Sequence, residues 1–368
     1  MIRVAYVIPT LDQSGAERQL TLLATSLPRE TYAVRVFALQ RGGPYLKSLT
    51  DAGIEVRVLG KRFRLDPLTW YRLRRELRSF QPDIVQSFLF AANSYVRLPG
   101  VTPPTAKIVV SERCVDSWKR GWQLSLDRRQ ISRTHALTAN SNSVADFYAS
   151  VGVPRHLITV IPNALPLTES LFSRQQARDI LGLTHEHKVV GFVGRLAPQK
   201  RLHDLIWAFQ LLHQIVDSAR LVLIGSGPER DALAELATRF GCRDRVVFTG
   251  HREDASALMA AFDAFVLASD FEGMSNSLME AMSIGLPCIA SDIPPNRELI
   301  TDGETGLLFP VGKSPDLTKL AARVLADPEL AKRLGQAARE RIEKHHKVEQ
   351  MVAAHESVYH RLLNSSAG

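Results

Sequence analysis

Val189-Val190-Gly191-Phe192-Val193-Gly194-Arg195-Leu196-Ala197-Pro198-Gln199-Lys200 is a short apolar run that stops at a glycine and opens into a cationic loop. Rich in β-branched and aromatic residues, Val189–Val193 reads as a strand buried on both faces, the kind parallel sheets use. Downstream, Arg220–Ile224, Arg245–Thr249, Ala264–Ala268, Pro287–Ala290 and Gly306–Phe309 repeat the pattern, and the gaps between them are helical. Toward the N-terminus, Val4–Ile8, Val34–Leu39, Val56–Leu59, Ile84–Phe88, Ile108–Val110 and Ala136–Ala139 form a second series. After the first of these, Ala16, Leu20, Leu23, Ala24 and Leu27 share one helical face that packs on a sheet. Strands alternating with helices predict a parallel α/β sheet in each half.

With 368 residues the chain is too long for one hydrophobic core, and two domains are expected. Ile161-Pro162-Asn163-Ala164-Leu165-Pro166 interrupts both periodicities and divides residues 1–164 from 165–345. Two doubly wound domains in tandem are expected to face each other across a cleft, a common way to hold one ligand. After Asp327 the chain reads as helical to about Leu363. A composition of 45% hydrophobic and 23% charged residues excludes disordered and fibrous classes. No run approaches the roughly 18–20 apolar residues of a membrane span, and MIRVAYVIPT lacks the zones of a secretory signal, so a cytoplasmic location is expected. Cys114, Cys242 and Cys288 lie far apart without CxxC or paired histidine, which indicates neither a disulfide framework nor a zinc site.

The charge is lopsided. Residues 1–164 carry an excess of +11 and residues 165–368 one of −3, within a net charge of +8. The first half is therefore expected to meet something anionic: nucleic acid, an acidic bilayer or a phosphorylated substrate. Lys61-Arg62-Phe63-Arg64 followed by Trp70, Tyr71, Arg72, Arg74, Arg75 and Arg78 suits an amphipathic helix lying peripherally on an anionic membrane. An ordinary surface helix whose arginine stems cover the core edge uses the same residues. Trp118, Lys119, Arg120 and Trp122 form a second such stretch, where function is favoured over core. No recognised nucleic-acid module accompanies these charges, so nucleic acid is the weaker partner.

Four segments carry chemistry. Asp12-Gln13-Ser14-Gly15-Ala16-Glu17 opens the first helix, where glycine permits close approach and free amides attract a phosphate or sugar oxygen. A plain strand-to-helix turn explains it as well. Gly194 to Lys200 sets Arg195 and Lys200 five residues apart at a strand's carboxyl end, with no acid beside them; the pair suits a diphosphate, or is two solvated surface cations. Gly225-Ser226-Gly227-Pro228-Glu229-Arg230 puts Arg230 where the dinucleotide fingerprint needs its third glycine, which disfavours a nicotinamide or flavin cofactor and leaves a tight turn near a nucleotide. Asp270-Phe271-Glu272-Gly273-Met274-Ser275-Asn276-Ser277-Leu278-Met279-Glu280-Ala281-Met282 is the most specific. Glu272 sits in a loop after a strand, Ser275 or Asn276 caps the next helix, and Glu280 lies about one turn inside it. Loop carboxylate to sugar hydroxyls, helix-start amides to phosphate and helix carboxylate to a ribose diol are the three contacts this spacing predicts.

On these residues the chain resembles the retaining glycosyltransferases of family four (glycosyl transferase group 1), which have the GT-B fold. The resemblance covers nearly the full length: Ser14-Gly15-Ala16-Glu17, the Ile161-Pro162-Asn163 hinge, Gly194-Arg195 with Lys200, Gly225-Ser226-Gly227, and Glu272-Gly273 through Glu280, the family's E-x7-E pattern. It implies two tandem Rossmann-like α/β domains facing across a cleft, with 1–164 binding the acceptor and 165–345 the nucleotide sugar. A last helix of about 346–364 would pack back on the first domain. Arg195 and Lys200 then hold the donor diphosphate and Glu272 reaches the donor sugar, the three being the catalytic candidates. Glu280 binds the ribose. Gly194, Gly225, Gly227, Gly273, Met274, Ser275, Asn276 and Ser277 complete the donor site, with Gly15 facing the reaction centre from the other domain.

Many relatives carry a histidine after the strand matching Ile84–Phe88, whereas this chain reads Asp83-Ile84-Val85-Gln86-Ser87-Phe88-Leu89-Phe90. Gln86, Ser87 or Asn93 is the expected polar substitute, and Glu112, Arg113, Trp118 and Trp122 are further acceptor-side candidates. The implied reaction moves a sugar from a nucleoside diphosphate, uridine first among them, to a saccharide or a polyprenyl-diphosphate-linked saccharide in cell-surface polysaccharide assembly. Arg195, Lys200 and helix amides meet the leaving charge. No Asp-x-Asp occurs, and neither metal nor cofactor is expected beyond the nucleotide sugar as co-substrate. The competing readings are a non-catalytic sugar-nucleotide or glycan binder and an epimerase sharing the fold.

Overall fold

The computed structural model describes residues 1–64, 66–115, 119, 121–166 and 171–364. They form two compact units: residues 1–164 joined by the segment from Val348 onward, and Leu165–Lys347. In the first unit, β1 (Ile2–Thr10), β2 (Tyr32–Arg41), β3 (Glu55–Val58), β4 (Ile84–Phe88), β5 (Lys107–Glu112), β6 (Ala136–Ala139) and β7 (Ile158–Val160) run parallel in the order β3-β2-β1-β4-β5-β6-β7. In the second, β8 (Lys188–Val193), β9 (Ala219–Ile224), β10 (Val246–Gly250), β11 (Ala264–Leu267), β12 (Cys288–Ser291) and β13 (Leu307–Phe309) run parallel in the order β10-β9-β8-β11-β12-β13. Helices on both faces explain why β1 is apolar without alternation: Val4 to Ile8 are all fully buried.

Both sheets start in the middle. β1 is flanked by β2 and β4, and β8 by β9 and β11, so the chain winds outward one way, returns, and winds outward the other. Loops leaving adjacent strands in opposite directions open a crevice at the carboxyl edge, where doubly wound sheets bind ligands. In the first unit that edge carries residues 11–14 and 89–93. In the second it carries residues 194–201 and 268–275.

The strand expectations match except for β7. This three-residue strand is only half-buried and abuts Ile161-Pro162, so it lacks the apolar run that reveals the others. The last helical stretch is two helices, Pro328–His345 and Val348–Asn364. Asp327 caps the former by accepting from the Leu330 amide at 3.0 Å. Val348–Asn364 belongs to the first unit: Met351, Val352, Val358, Tyr359 and Leu362 join a core with Val4, Tyr6, Ile8 and Leu20. Tyr359 reaches across that core, its hydroxyl 3.0 Å from that of Tyr6 and donating to the side-chain Oε1 of Gln86.

The basic helix Pro67–Phe80 begins at Asp66, whose carboxylate accepts from the Leu68 and Thr69 amides at 3.0 and 3.2 Å. Leu73, Leu77 and Phe80 bury one face, Arg72 donates to the Leu59 carbonyl at 2.7 Å, and Arg74 stacks over Trp70. Part of the arginine run thus covers the core edge, while Arg75 and Arg78 stay exposed.

Candidate functional site

At the carboxyl edge of the second unit the loops after β8 and β9 are joined by backbone rather than by side chains. Gly194 donates to Ile224 O at 3.0 Å, Leu196 to Ser226 O at 2.9 Å, and Glu229 to Leu196 O at 3.1 Å, joining the loops after β8 and β9. A Cβ on Gly225 would lie 1.9 Å from Gly194 O, and one on Gly227 would lie 2.1 Å from Leu196 O. These glycines are therefore required by the meeting of two loops, with Gly225 also at φ 138. The loop after β11 is stitched to the same rim: the Asp270 backbone amide donates to Gln199 O at 2.9 Å, and the Gln199 side-chain Nε2 donates to Phe271 O at 2.7 Å.

On this rim stand the candidate donor residues. Arg195 is exposed, and its side chain makes no ion pair among the described residues. Lys200, at the end of the turn Pro198–Lys200, corrects the expectation of two cations without an acid. Its Nζ lies 2.5 Å from Oε1 of Glu272, 72 residues onward, a pair only 15% and 9% exposed. The next residue, Arg201, is held left-handed at φ 48 and bonds Asp204 at 2.6 Å and Asp270 at 3.1 Å. Those carboxylates raise its pKa, the Asp204 hydrogen bond foremost.

Ser275 caps the helix Asn276–Ser283, its hydroxyl accepting from the Leu278 amide at 3.4 Å, so Ser275 rather than Asn276 takes that role. Gly273, Met274 and Ser275 are buried, and Asn276 and Ser277 are half-buried. Glu280 is buried rather than a free surface carboxylate; its Oε2 accepts from Ser256 Oγ at 3.1 Å. Sequence reading missed Ser256, Gln199 and Arg201, because their partners are 24, 72 and 69 positions away. The rim thus offers an exposed guanidinium, an ammonium, two carboxylates and a helix start, a set suited to an anion carrying hydroxyls.

The first unit's edge differs. Gly15 opens the helix Gly15–Ser26, but Ser14, at its N-cap, turns its hydroxyl to Glu17. Glu17 also accepts from Thr10 Oγ1 at 3.0 Å, and burial raises its pKa against the lowering by these hydroxyls. Leu89 follows β4 at φ 68, a conformation few leucines adopt.

Most of the acceptor-side candidates are turned inward. Gln86 is fully buried, donating to Ser111 Oγ at 2.7 Å and accepting from Tyr359, so its amide is turned into the sheet. Ser87 is fully buried, its hydroxyl without a partner among the described residues. Asn93 donates to Ser111 O at 3.3 Å and Glu112 Oε1 at 3.0 Å, also fully buried. Glu112 belongs to a buried ionic cluster: Lys119 lies 3.5 Å from it and 3.1 Å from Asp127, which Arg97 bonds at 2.6 Å. Arg113 is half-buried, bonds Asn163, and has its pKa pulled down to about 10 by burial. Its charge, after burial, helps hold the enclosed His355 imidazole down at about 3 and hence neutral. Trp122 is half in solvent, stacked under Arg64 at 3.9 Å and edge-on to Phe90. Trp118 and Arg120 lie outside the described residues.

The family model for Glycosyltransferase Family 4 matches residues 13–169, and that for Glycosyl transferases group 1 matches residues 173–341. The chain belongs to the group 1, family 4 glycosyltransferases. It is 30% identical over 241 residues to N-acetyl-alpha-D-glucosaminyl L-malate synthase of Bacillus anthracis, covering 65% of this chain and 63% of that one. With the lipopolysaccharide core biosynthesis glycosyltransferase LpsD of Rhizobium meliloti it shares 28% identity over 88% of each chain. HepE of Anabaena, solved with UDP-glucose, has the same fold: TM-score 0.86 at 23% identity, over 97% of this chain and 99% of that one. The fold is GT-B. Among the described residues no helix is long and apolar enough to cross a membrane, and no cluster of three metal-ligating side chains occurs.

Proposed function

We propose that this family 4 glycosyltransferase moves a sugar from a nucleoside diphosphate, a uridine diphosphate sugar first among the candidates, to a hydroxyl of a saccharide acceptor with retention of configuration. The observation that carries the reading is the single rim bearing Arg195, Lys200, Glu272 and Glu280 at the switch point of the Leu165–Lys347 sheet. Breaking the sugar–phosphate bond builds negative charge on the departing diphosphate. Arg195, Lys200 and the amides starting Asn276–Ser283 meet that charge, without requiring a metal. Glu280 is near enough to the helix start to take a ribose diol, and Glu272 takes donor-sugar hydroxyls. On the same face the departing phosphate oxygen receives the acceptor's proton as the new bond forms.

The acceptor proposed is a polyprenyl-diphosphate-linked saccharide in cell-surface polysaccharide assembly, reached from the cytoplasm, where nucleotide sugars are made. Support comes from the exposed Phe63, Leu68, Tyr71 and Trp122 among Arg62, Arg64, Arg75 and Arg78, a surface suited to an anionic bilayer. Product analysis with UDP-, GDP- and ADP-sugars and lipid-linked acceptors tests the whole reading. A new glycoside with the donor's anomeric configuration is expected. Neither transfer nor slow donor hydrolysis with any donor would leave only a binding protein, and an isomerised donor without acceptor would mean an epimerase.

A further inference from the structure

Lys200 and Glu272 are not a chance surface contact. The two loops are fixed to each other beside the pair, by the Asp270 amide to Gln199 O at 2.9 Å, the Gln199 side chain to Phe271 O at 2.7 Å and Arg201 to Asp270 at 3.1 Å. Each partner is mostly removed from water. Resting on the donor reading above, the same ammonium that grips a diphosphate is therefore already neutralised by the carboxylate that serves the donor sugar. An incoming diphosphate that shares Lys200 faces Glu272 as a like charge at short range, in a site where water screens little. Glu272 must then turn to other donors of hydrogen bonds. Hydroxyls of the transferred sugar supply them beyond the diphosphate; a bare nucleoside diphosphate has hydroxyls only on its ribose, which is the share of Glu280.

We propose that the Lys200–Glu272 ion pair is a specificity device: it exchanges for a sugar-bearing nucleotide and penalises a bare one, so that its re-formation after transfer helps expel the product. Glu272 acts here against the wrong ligand as well as for the right one. With the sugar present, Lys200 gains phosphate and Glu272 gains hydroxyls, and neither charge is left alone. With the sugar gone, the diphosphate competes with an internal carboxylate for one cation.

Calorimetric titration of the full chain with UDP, GDP and ADP, and with their glucose conjugates, tests this on wild type, Glu272→Gln, Lys200→Gln and the double variant, each checked for an unchanged circular dichroism spectrum. Glu272→Gln is expected to bind the nucleoside diphosphate about tenfold more tightly than wild type, the ratio that corresponds to ~1.4 kcal/mol. It is expected to gain nothing toward the sugar nucleotide. In the Lys200→Gln background the same change is expected to leave nucleoside diphosphate affinity where it was. Affinity for the bare nucleotide that is unaltered or weaker in Glu272→Gln overturns the proposal while leaving the donor reading intact. So does equal tightening in both backgrounds, which would be mere removal of negative charge. Absence of heat with every nucleotide in every variant removes the donor reading itself, and the proposal with it.

Discussion

The two carboxyl edges are built by one topology and finished in opposite ways. In the Leu165–Lys347 unit the loops are tied through backbone, and glycines admit that contact, which leaves Arg195 free in solvent. In the first unit the polar side chains tie the structure together instead: Gln86, Asn93, Glu112 and Lys119 spend their hydrogen bonds inside. A charged group offered to a ligand has to be held by something other than its own charge. Backbone contacts between the loops after β8 and β9 do so for Arg195, whereas in the first unit's edge the chemistry-bearing groups are themselves the stitching.

The largest expected effect breaks the inward edge. Lys119→Met leaves Glu112 and Asp127 enclosed with one cation fewer, and loss of one partner from a buried ionic cluster costs about 3–5 kcal/mol. Urea unfolding is expected to show that loss, with nucleotide affinity of the folded fraction unchanged. Next, Gly225→Ala forces a methyl against Gly194 O, and overpacking of this kind costs about 3 kcal/mol. Here donor binding should vanish together with stability, because the rim itself shifts; thermal melts with and without nucleotide sugar distinguish the two variants.

Smaller again, Lys200→Ala and Glu280→Ala each remove a charge-assisted contact worth about 1.5–3 kcal/mol. A fall of kcat/KM on the order of 10- to 100-fold is expected, and wild-type rates in either would refute those roles. Smallest, neutralising the exposed Arg75 or Arg78 singly to glutamine should weaken sedimentation with phosphatidylglycerol vesicles by ~1 kcal/mol, with turnover of a water-soluble acceptor retained. Unchanged sedimentation would leave the basic surface without that role.

Much of the architecture was legible because parallel strands buried on both faces leave continuous apolar runs, as Val4–Ile8 and Val189–Val193 do. β7 was not, being three half-buried residues beside a proline. Local spacing also identified the segment from Glu272 to Glu280, since a loop, a cap and one helical turn are all short-range features. What it hid was pairing across the chain. Nothing near Lys200 announces Glu272, and nothing near Glu280 announces Ser256. The burial of Gln86 was hidden for a related reason: it is the middle residue of a five-residue strand, and the face it occupies is covered by Tyr359, 273 residues later. A polar residue in a short strand does not reveal whether it marks the strand's end or meets a distant partner.

Hydrogen–deuterium exchange of the full chain, with and without the nucleotide sugar that most raises its melting temperature among UDP-, GDP- and ADP-glucose, tests the central claim most directly. The account predicts new protection concentrated in the amides of residues 194–200, 225–229 and 270–277. Saturating nucleotide sugar that leaves those three segments exchanging as before, or protects only segments elsewhere, would contradict it.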